Sequence, residues 1–240
     1  MPLEVGSEAM LQIQGLEVGY GESIILRDIS LKVSKGQVVC LMGRNGVGKT
    51  TLIRAIMGVL PAKKGTISYG KTDITKKSPD QRARMGIGYV PQGREIFSQL
   101  TVEENIQIGL EANRFGRKAV PAEATVEFPV LKQMAKRRGG DLSGGQQQQL
   151  AFARALTSEP EVLLLDEPTE GIQPSIVQDI QNVIHKLKKR GDLAILLVEQ
   201  SVEFVLEVGD YFYVLDKGAI VAEGPMAMFD ESLLMHHLSV

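Results

Sequence analysis

An α/β fold, with a parallel sheet between helices and an antiparallel sheet beside it, is predicted by three observations. Residues 11–33 alternate apolar and polar positions. Val38–Met42, Val162–Leu165 and Leu193–Val198 are continuous apolar runs, and amphipathic helical patterns lie between those runs. Period-two alternation marks half-buried antiparallel strands, whereas unbroken apolar strands are those covered on both faces.

Taken in order, residues 1–9 show no periodicity, and Met10 fits a natural start, so the stretch reads as a disordered lead-in. Leu11, Ile13, Leu16, Val18 and Tyr20 precede a turn at Gly21-Glu22-Ser23, and Ile29, Leu31 and Val33 continue the alternation beyond it. Gly65–Tyr69 reads as a further strand. Leu52, Ile53, Ile56 and Met57 share a helical face, stopped by Gly58 and Pro61. Residues 100–158 are rich in charge and helix formers and read as a helical insertion, although Arg117–Phe128, with Pro121 inside, lacks an apolar stripe. Ile176, Ile180, Val183, Ile184 and Leu187 form another stripe, ended by Lys188–Gly191. Tyr211–Asp216 and Ala219–Glu223 flank Lys217-Gly218 as a hairpin.

The 240 residues, 43% hydrophobic and 23% charged, suit one large domain or two intimately packed ones, with a sizeable core. A net charge of −2 gives no argument for a nucleic-acid partner, although a balanced total leaves room for a local basic patch. Cys40, the only cysteine, reads as a buried small hydrophobe, which fits a reducing cytoplasm. There is no secretory pattern, and no apolar stretch approaches the roughly 20 residues that span a bilayer. Any membrane-spanning segments must then come from other chains.

Gly43-Arg44-Asn45-Gly46-Val47-Gly48-Lys49-Thr50 is a P-loop, placed after an apolar strand and before an amphipathic helix. Its glycines let backbone N–H groups turn toward phosphate oxygens, and the helix adds its positive N-terminal end. Lys49 is expected on the β- and γ-phosphates of ATP, Thr50 on Mg²⁺ and Thr51 near the α-phosphate.

Asp166-Glu167 closes the apolar run Val162–Leu165 at the sheet edge where open α/β sheets bind ligands. Two acids after a strand are by themselves ordinary loop residues. Beside a P-loop they read as a Mg²⁺ partner, Asp166, and a group that polarises the attacking water, Glu167. Leu142-Ser143-Gly144-Gly145-Gln146 opens a helical run. Ser143 and Gln146 have capping-box spacing, yet two first-turn glycines cost about 1 kcal/mol each in helix propensity and leave N–H groups open to an anion.

P-loop, Leu-Ser-Gly-Gly-Gln and a strand ending Asp-Glu, in this order, resemble the ATP-binding cassette (ABC) ATPases over residues 11–224. The resemblance implies a single domain over 1–240, with a mixed, largely parallel RecA-like core and an antiparallel β subdomain (about 10–99 and 159–240) and a helical subdomain (about 100–158). It also implies a head-to-tail dimer in which Ser143, Gly144, Gly145 and Gln146 reach the partner's ATP. Tyr20 matches the aromatic that stacks on adenine, although an ordinary turn aromatic looks the same. Gln92 matches the glutamine near Mg²⁺ and the attacking water. The resemblance further implies partners: a second ATPase subunit or a self-dimer, two transmembrane permeases and a periplasmic binding protein. Membrane contact, at the cytoplasmic face of a bacterial inner membrane, would then run through the permeases alone. Arg94, Ile96 and Phe97 are candidates for the docking surface.

Two positions depart from the family pattern. Gln200 stands where a histidine is common, and Gln173 where an aspartate is usual. Gln200 donates but cannot become cationic, so hydrolysis is expected to be slower than with histidine. Leu197–Gln200 is similar to ATPase subunits of branched-chain amino-acid and urea importers. Pro91–Phe97, Arg137–Asp141, Gln146–Gln149 and Glu170–Pro174 look most like the urea-uptake subunit, so urea is the expected solute, with branched-chain amino acids or another small amide as the alternative. Non-transport ABC ATPases acting on DNA or ribosomes carry long coiled-coil insertions or two halves in one chain, and a small-molecule kinase leaves Leu142–Gln146 unexplained.

Overall fold

The structure, a computed structural model, describes residues 9–230. β1 (Ala9–Tyr20) and β2 (Ser23–Ser34) pair antiparallel across the predicted turn, with Ile13 opposite Leu31 and Leu16 opposite Ile29. β3 (Val38–Met42) leads through the P-loop into α1 (Lys49–Ile56), and β4 (Ala62–Tyr69) returns to pair with β1. β5 (Thr72–Asp73) completes a four-stranded sheet of order β2-β1-β4-β5. Ala9 thus belongs to β1 and not to a lead-in; residues 1–8 lie outside the described residues.

α2 (Pro79–Met85), β6 (Ile87–Val90), α3 (Val102–Ile108), α4 (Pro129–Gln133) and α5 (Gly144–Thr157) follow. β7 (Val162–Asp166), α6 (Pro174–Arg190), β8 (Ala194–Glu199), α7 (Val202–Val208), β9 (Tyr211–Asp216) and β10 (Ala219–Pro225) complete the described chain. The second sheet has the order β10-β9-β3-β8-β7-β6, parallel except for the β10 edge.

This sheet divides two apolar clusters, which accounts for the unbroken apolar runs. Cys40, Met42, Leu163, Leu165, Ile195 and Leu197 pack with Phe152 of α5, Ile180 and Ile184 of α6 and Phe204 of α7. The alternate residues Val39, Leu41, Leu164, Leu196 and Val198 pack with Leu52 and Ile53 of α1 and with Leu11, Ile13 and Ile29 of the antiparallel sheet. On β3, β7 and β8 neither face meets water, so both positions of the period are apolar up to the acids that end β7 and β8.

α2, β6 and α7 are not foreseen in the sequence pattern. β6 is four residues long and carries Gly88 inside it, too brief and interrupted to show a period. Between α3 and α4 the chain is not a long helix but includes short 3₁₀ turns at Gly109–Ala112 and Ala122–Ala124. Asn113 replaces helical bonding there: its Oδ1 accepts from the amides of Phe115 (3.0 Å) and Arg117 (3.2 Å), and its Nδ2 donates to Thr157 O (2.8 Å). The missing stripe of Arg117–Phe128 is thus a missing helix. Among the described residues no helix is long and apolar enough to cross a membrane.

Candidate active site

The loop Gly43–Gly48 joins the C-terminal end of β3 to α1. Gly48 has φ +116°, and a Cβ there would sit 2.6 Å from Leu26 Cδ2, so only glycine lets the loop lie against β2. Arg44, Asn45 and Gly46 are exposed, Val47 is half-buried, and Thr50 and Thr51 stand half-buried in the first turn of α1. Lys49 is 4% exposed; its Nζ donates to the carbonyls of Gly43 (2.8 Å) and Arg44 (3.0 Å) and lies 3.2 Å from Glu167 Oε1. The cation is therefore held inside the loop rather than spread into solvent.

Asp166 ends β7, fully buried, with Oδ1 accepting from Thr50 Oγ1 at 3.4 Å. Its Oδ2 has no hydrogen-bond partner among the described residues. Burial, helped by the neighbouring Glu167 charge and opposed by Thr50 and Lys49, raises its pKa to about 6. An orphaned carboxylate oxygen beside a hydroxyl is a hard oxygen set suited to Mg²⁺, with Gln92 as the further candidate. No group of three or more His, Cys, Asp or Glu that could hold a metal ion occurs among the described residues. An ion here would draw on these few oxygens together with phosphate.

The raised pKa makes a stability prediction. The folded state binds the Asp166 proton more tightly than the unfolded chain, so this group's stabilisation is present below about pH 4 and lost as pH rises through 6. In nucleotide-free, chelator-treated protein, Asp166→Asn is expected to gain up to about 3 kcal/mol on wild type between pH 4 and pH 7.5. Thermal melts across that range check it; a difference constant with pH refutes it.

Glu167 follows with φ +46°, a conformation that L side chains rarely adopt, fastened by its amide donating to Val198 O at 2.9 Å. Its carboxylate collects three sequence-distant donors. Lys49 approaches Oε1, Gln200 Nε2 donates to Oε1 at 2.8 Å, and Gln92 Nε2 approaches Oε2 at 3.3 Å. Gln200 also donates to Asn45 Oδ1 (2.6 Å), and Gln92 to Glu170 Oε2 (3.0 Å). P-loop, both acids and both glutamines therefore meet. Glu170, as the second acceptor for Gln92, was missed because nothing local distinguishes it from a solvated loop acid.

Tyr20 stands apart at the end of β1, 47% exposed, its hydroxyl 3.5 Å from Arg54 Nη1 of α1. Among the described residues no hydrogen bond joins residues 143–146 to their own P-loop. Ser143 is exposed and caps α5: its Oγ accepts from Gln146 N (3.4 Å), while Gln146 Oε1 accepts from Ser143 N (3.0 Å). The helix cap and the open tip thus coexist. A Cβ on Gly145 would meet Ile176 Cγ1 at 2.6 Å, so that glycine admits α6 against the tip. Among the described residues no histidine takes the place of Gln200. His185 lies on α6, 3.2 Å from Glu207, and His236 and His237 fall outside the described residues.

The three docking candidates part company. Arg94, in left-handed backbone (φ +73°), turns its guanidinium to Gly171 O at 3.3 Å. Ile96 packs on the core, and only Phe97 is exposed, with Arg154 over its ring at 5.4 Å. A groove of about 1220 Å³ lies elsewhere, lined by Val102, Ile106 and Leu110 on one side and Leu131 and Ala135 on the other.

The family model described as ABC transporter matches residues 26–170. The chain is 40% identical over 213 residues to the high-affinity branched-chain amino acid transport ATP-binding protein BraG of Pseudomonas aeruginosa, covering 88% of this chain and 91% of that protein. It is 38% identical over 216 residues to the probable branched-chain amino acid transport ATP-binding protein LivF of Archaeoglobus fulgidus, covering 90% and 92%. Among solved structures, the ADP conformation of MJ1267, an ATP-binding cassette of an ABC transporter, matches with a TM-score of 0.76 at 33% identity, over 90% of this chain and 91% of that one. The buried lysine, the paired acids and the family match agree: this chain belongs to the ABC transporter family, as an ATPase domain.

Proposed function

We propose that this ABC transporter ATPase drives uptake of branched-chain amino acids, working as one half of a nucleotide-sandwiching dimer beneath two permeases fed by a periplasmic binding protein. For the solute, the likeness to BraG and LivF is the observation that carries the reading. The strings that resemble the urea-uptake subunit include no residue that would touch urea, and neither relative is named for that solute, so urea becomes the competing arm of the test.

For the chemistry, the meeting of Lys49, Gln92 and Gln200 at Glu167 supports hydrolysis at this point. ATP is held by Tyr20 on its adenine face, by the P-loop with Lys49, and by Thr51. Thr50, Asp166 and Gln92 would hold Mg²⁺, which supplies neutralising charge on the phosphate oxygens. Glu167 orients and polarises the water that attacks the γ-phosphorus, and Gln200 donates toward the phosphate. Ser143, Gly144, Gly145 and Gln146 serve the partner's ATP in the same way that the partner's equivalents serve this one. Hydrolysis removes the charge that holds the halves together. The groove between α3 and α4 is the surface offered to a permease segment.

The test is ATP hydrolysis by the complex of this chain, its permeases and binding protein, assayed with leucine and then with urea. Stimulation by leucine is expected; stimulation by urea alone, or by neither, overturns the solute. Within the same complex, Gln200→His is expected to raise turnover roughly fivefold, about 1 kcal/mol off the barrier, because imidazolium adds charge where Gln200 adds only a dipole. An unchanged or lower rate refutes that account.

A further inference from the structure

Glu199 closes β8, whose other residues are all apolar, and is 4% exposed. Among the described residues no lysine, arginine or histidine pairs with it. Instead its two oxygens take four donors from two different loops. Oε1 accepts from the amide (3.2 Å) and hydroxyl of Thr169, in the loop after β7. Oε2 accepts from the amides of Gln200 (2.7 Å) and Ser201 (3.1 Å), in the loop after β8. Removing a carboxylate from water is costly unless such bonds replace hydration, and this one is tolerated because both oxygens are served. Only a carboxylate offers two acceptor oxygens here; an amide would turn its NH₂ toward N–H groups on one side or the other.

The loops it ties are those of the hydrolytic site. Gln200, whose backbone Glu199 fixes, reaches Glu167 with its side chain, and Glu167 lies two residues before Thr169. We infer that Glu199 is a positioning residue for hydrolysis, a buried carboxylate that clamps the Gln200 loop to the Thr169 loop and so sets Gln200 against Glu167. The inference rests on the proposed hydrolytic roles of Gln200 and Glu167.

The test is a double-mutant cycle on steady-state ATPase in the assembled complex. Glu199→Gln is expected to lower kcat about tenfold while leaving the KM for ATP within about twofold, because binding at the P-loop does not pass through the clamp. Gln200→Ala is expected to lower kcat by a similar factor, and the double variant to be no slower than Gln200→Ala alone. Wild-type kcat in Glu199→Gln with a slow Gln200→Ala overturns the inference and leaves the function standing. Multiplying effects in the double variant, about a hundredfold together, also overturn it, since Glu199 would then act by another route. Wild-type kcat in Gln200→Ala counts against the role of Gln200 and takes the inference with it. If Glu199→Gln fails to fold, Thr169→Val removes one donor from the opposite loop. Its expected loss of about threefold in kcat must vanish in the Gln200→Ala background, and persistence there overturns the clamp.

Discussion

Replacing Glu167 with glutamine is expected to lower ATP turnover by at least about a hundredfold while ATP still binds, because the variant keeps the shape of the side chain and loses its basicity. The geometry is specific on this point. The backbone at Glu167 is held in a left-handed conformation that aims the side chain at three donors, Lys49, Gln92 and Gln200, that arrive from the start of α1 and from the loops after β6 and β8. A glutamine there accepts through one oxygen only and turns an NH₂ toward donors, so it also loosens this junction. ATP contacts through the P-loop do not depend on the carboxylate, and affinity is expected to remain within a few-fold. Single-turnover hydrolysis in the assembled complex, beside equilibrium nucleotide binding, separates the two effects. An undiminished single-turnover rate would remove Glu167 from the role of water activator.

Lys49→Ala is expected to act at the earlier step, weakening ATP binding roughly a hundredfold, about 3 kcal/mol for charge-assisted hydrogen bonds made from a shielded position. Lys49 is almost wholly buried, and its ammonium lies within reach of two loop carbonyls and of Glu167. Alanine also leaves Glu167 without its cation, so the nucleotide-free variant is expected to melt below wild type. Lys49→Arg should not restore affinity, since a planar guanidinium cannot enter the enclosure of Gly43, Arg44 and Glu167 that accepts a compact ammonium. Calorimetric titration with ATP at fixed Mg²⁺ checks this; affinity within twofold of wild type in Lys49→Ala would place the triphosphate elsewhere.

Local segments were legible because their chemistry is contiguous. The strand–loop–helix from Val38 to Ile56 and the acids at the end of β7 each carry their own pattern, and so do the stripe of α6 and the β9–β10 hairpin. Other features were not legible, each for a physical reason. β6 is too short to show a period, and residues 113–117 turn on one asparagine side chain that takes over helical bonding. No local pattern announces that the Arg94 guanidinium reaches Gly171, a carbonyl 77 positions away. Glu170 and Glu199 gain significance only from loops that lie far off in the chain.

By itself, then, the sequence determined the layered α/β plan and the presence of a phosphate loop and paired acids, since periodicity and motif are properties of neighbouring residues. Only the tertiary structure decided which groups face one another. Parallel strands set side by side bring their C-terminal loops to one edge of the sheet whatever their separation along the chain, and that edge is where Lys49, Gln92, Glu167, Glu199 and Gln200 come together.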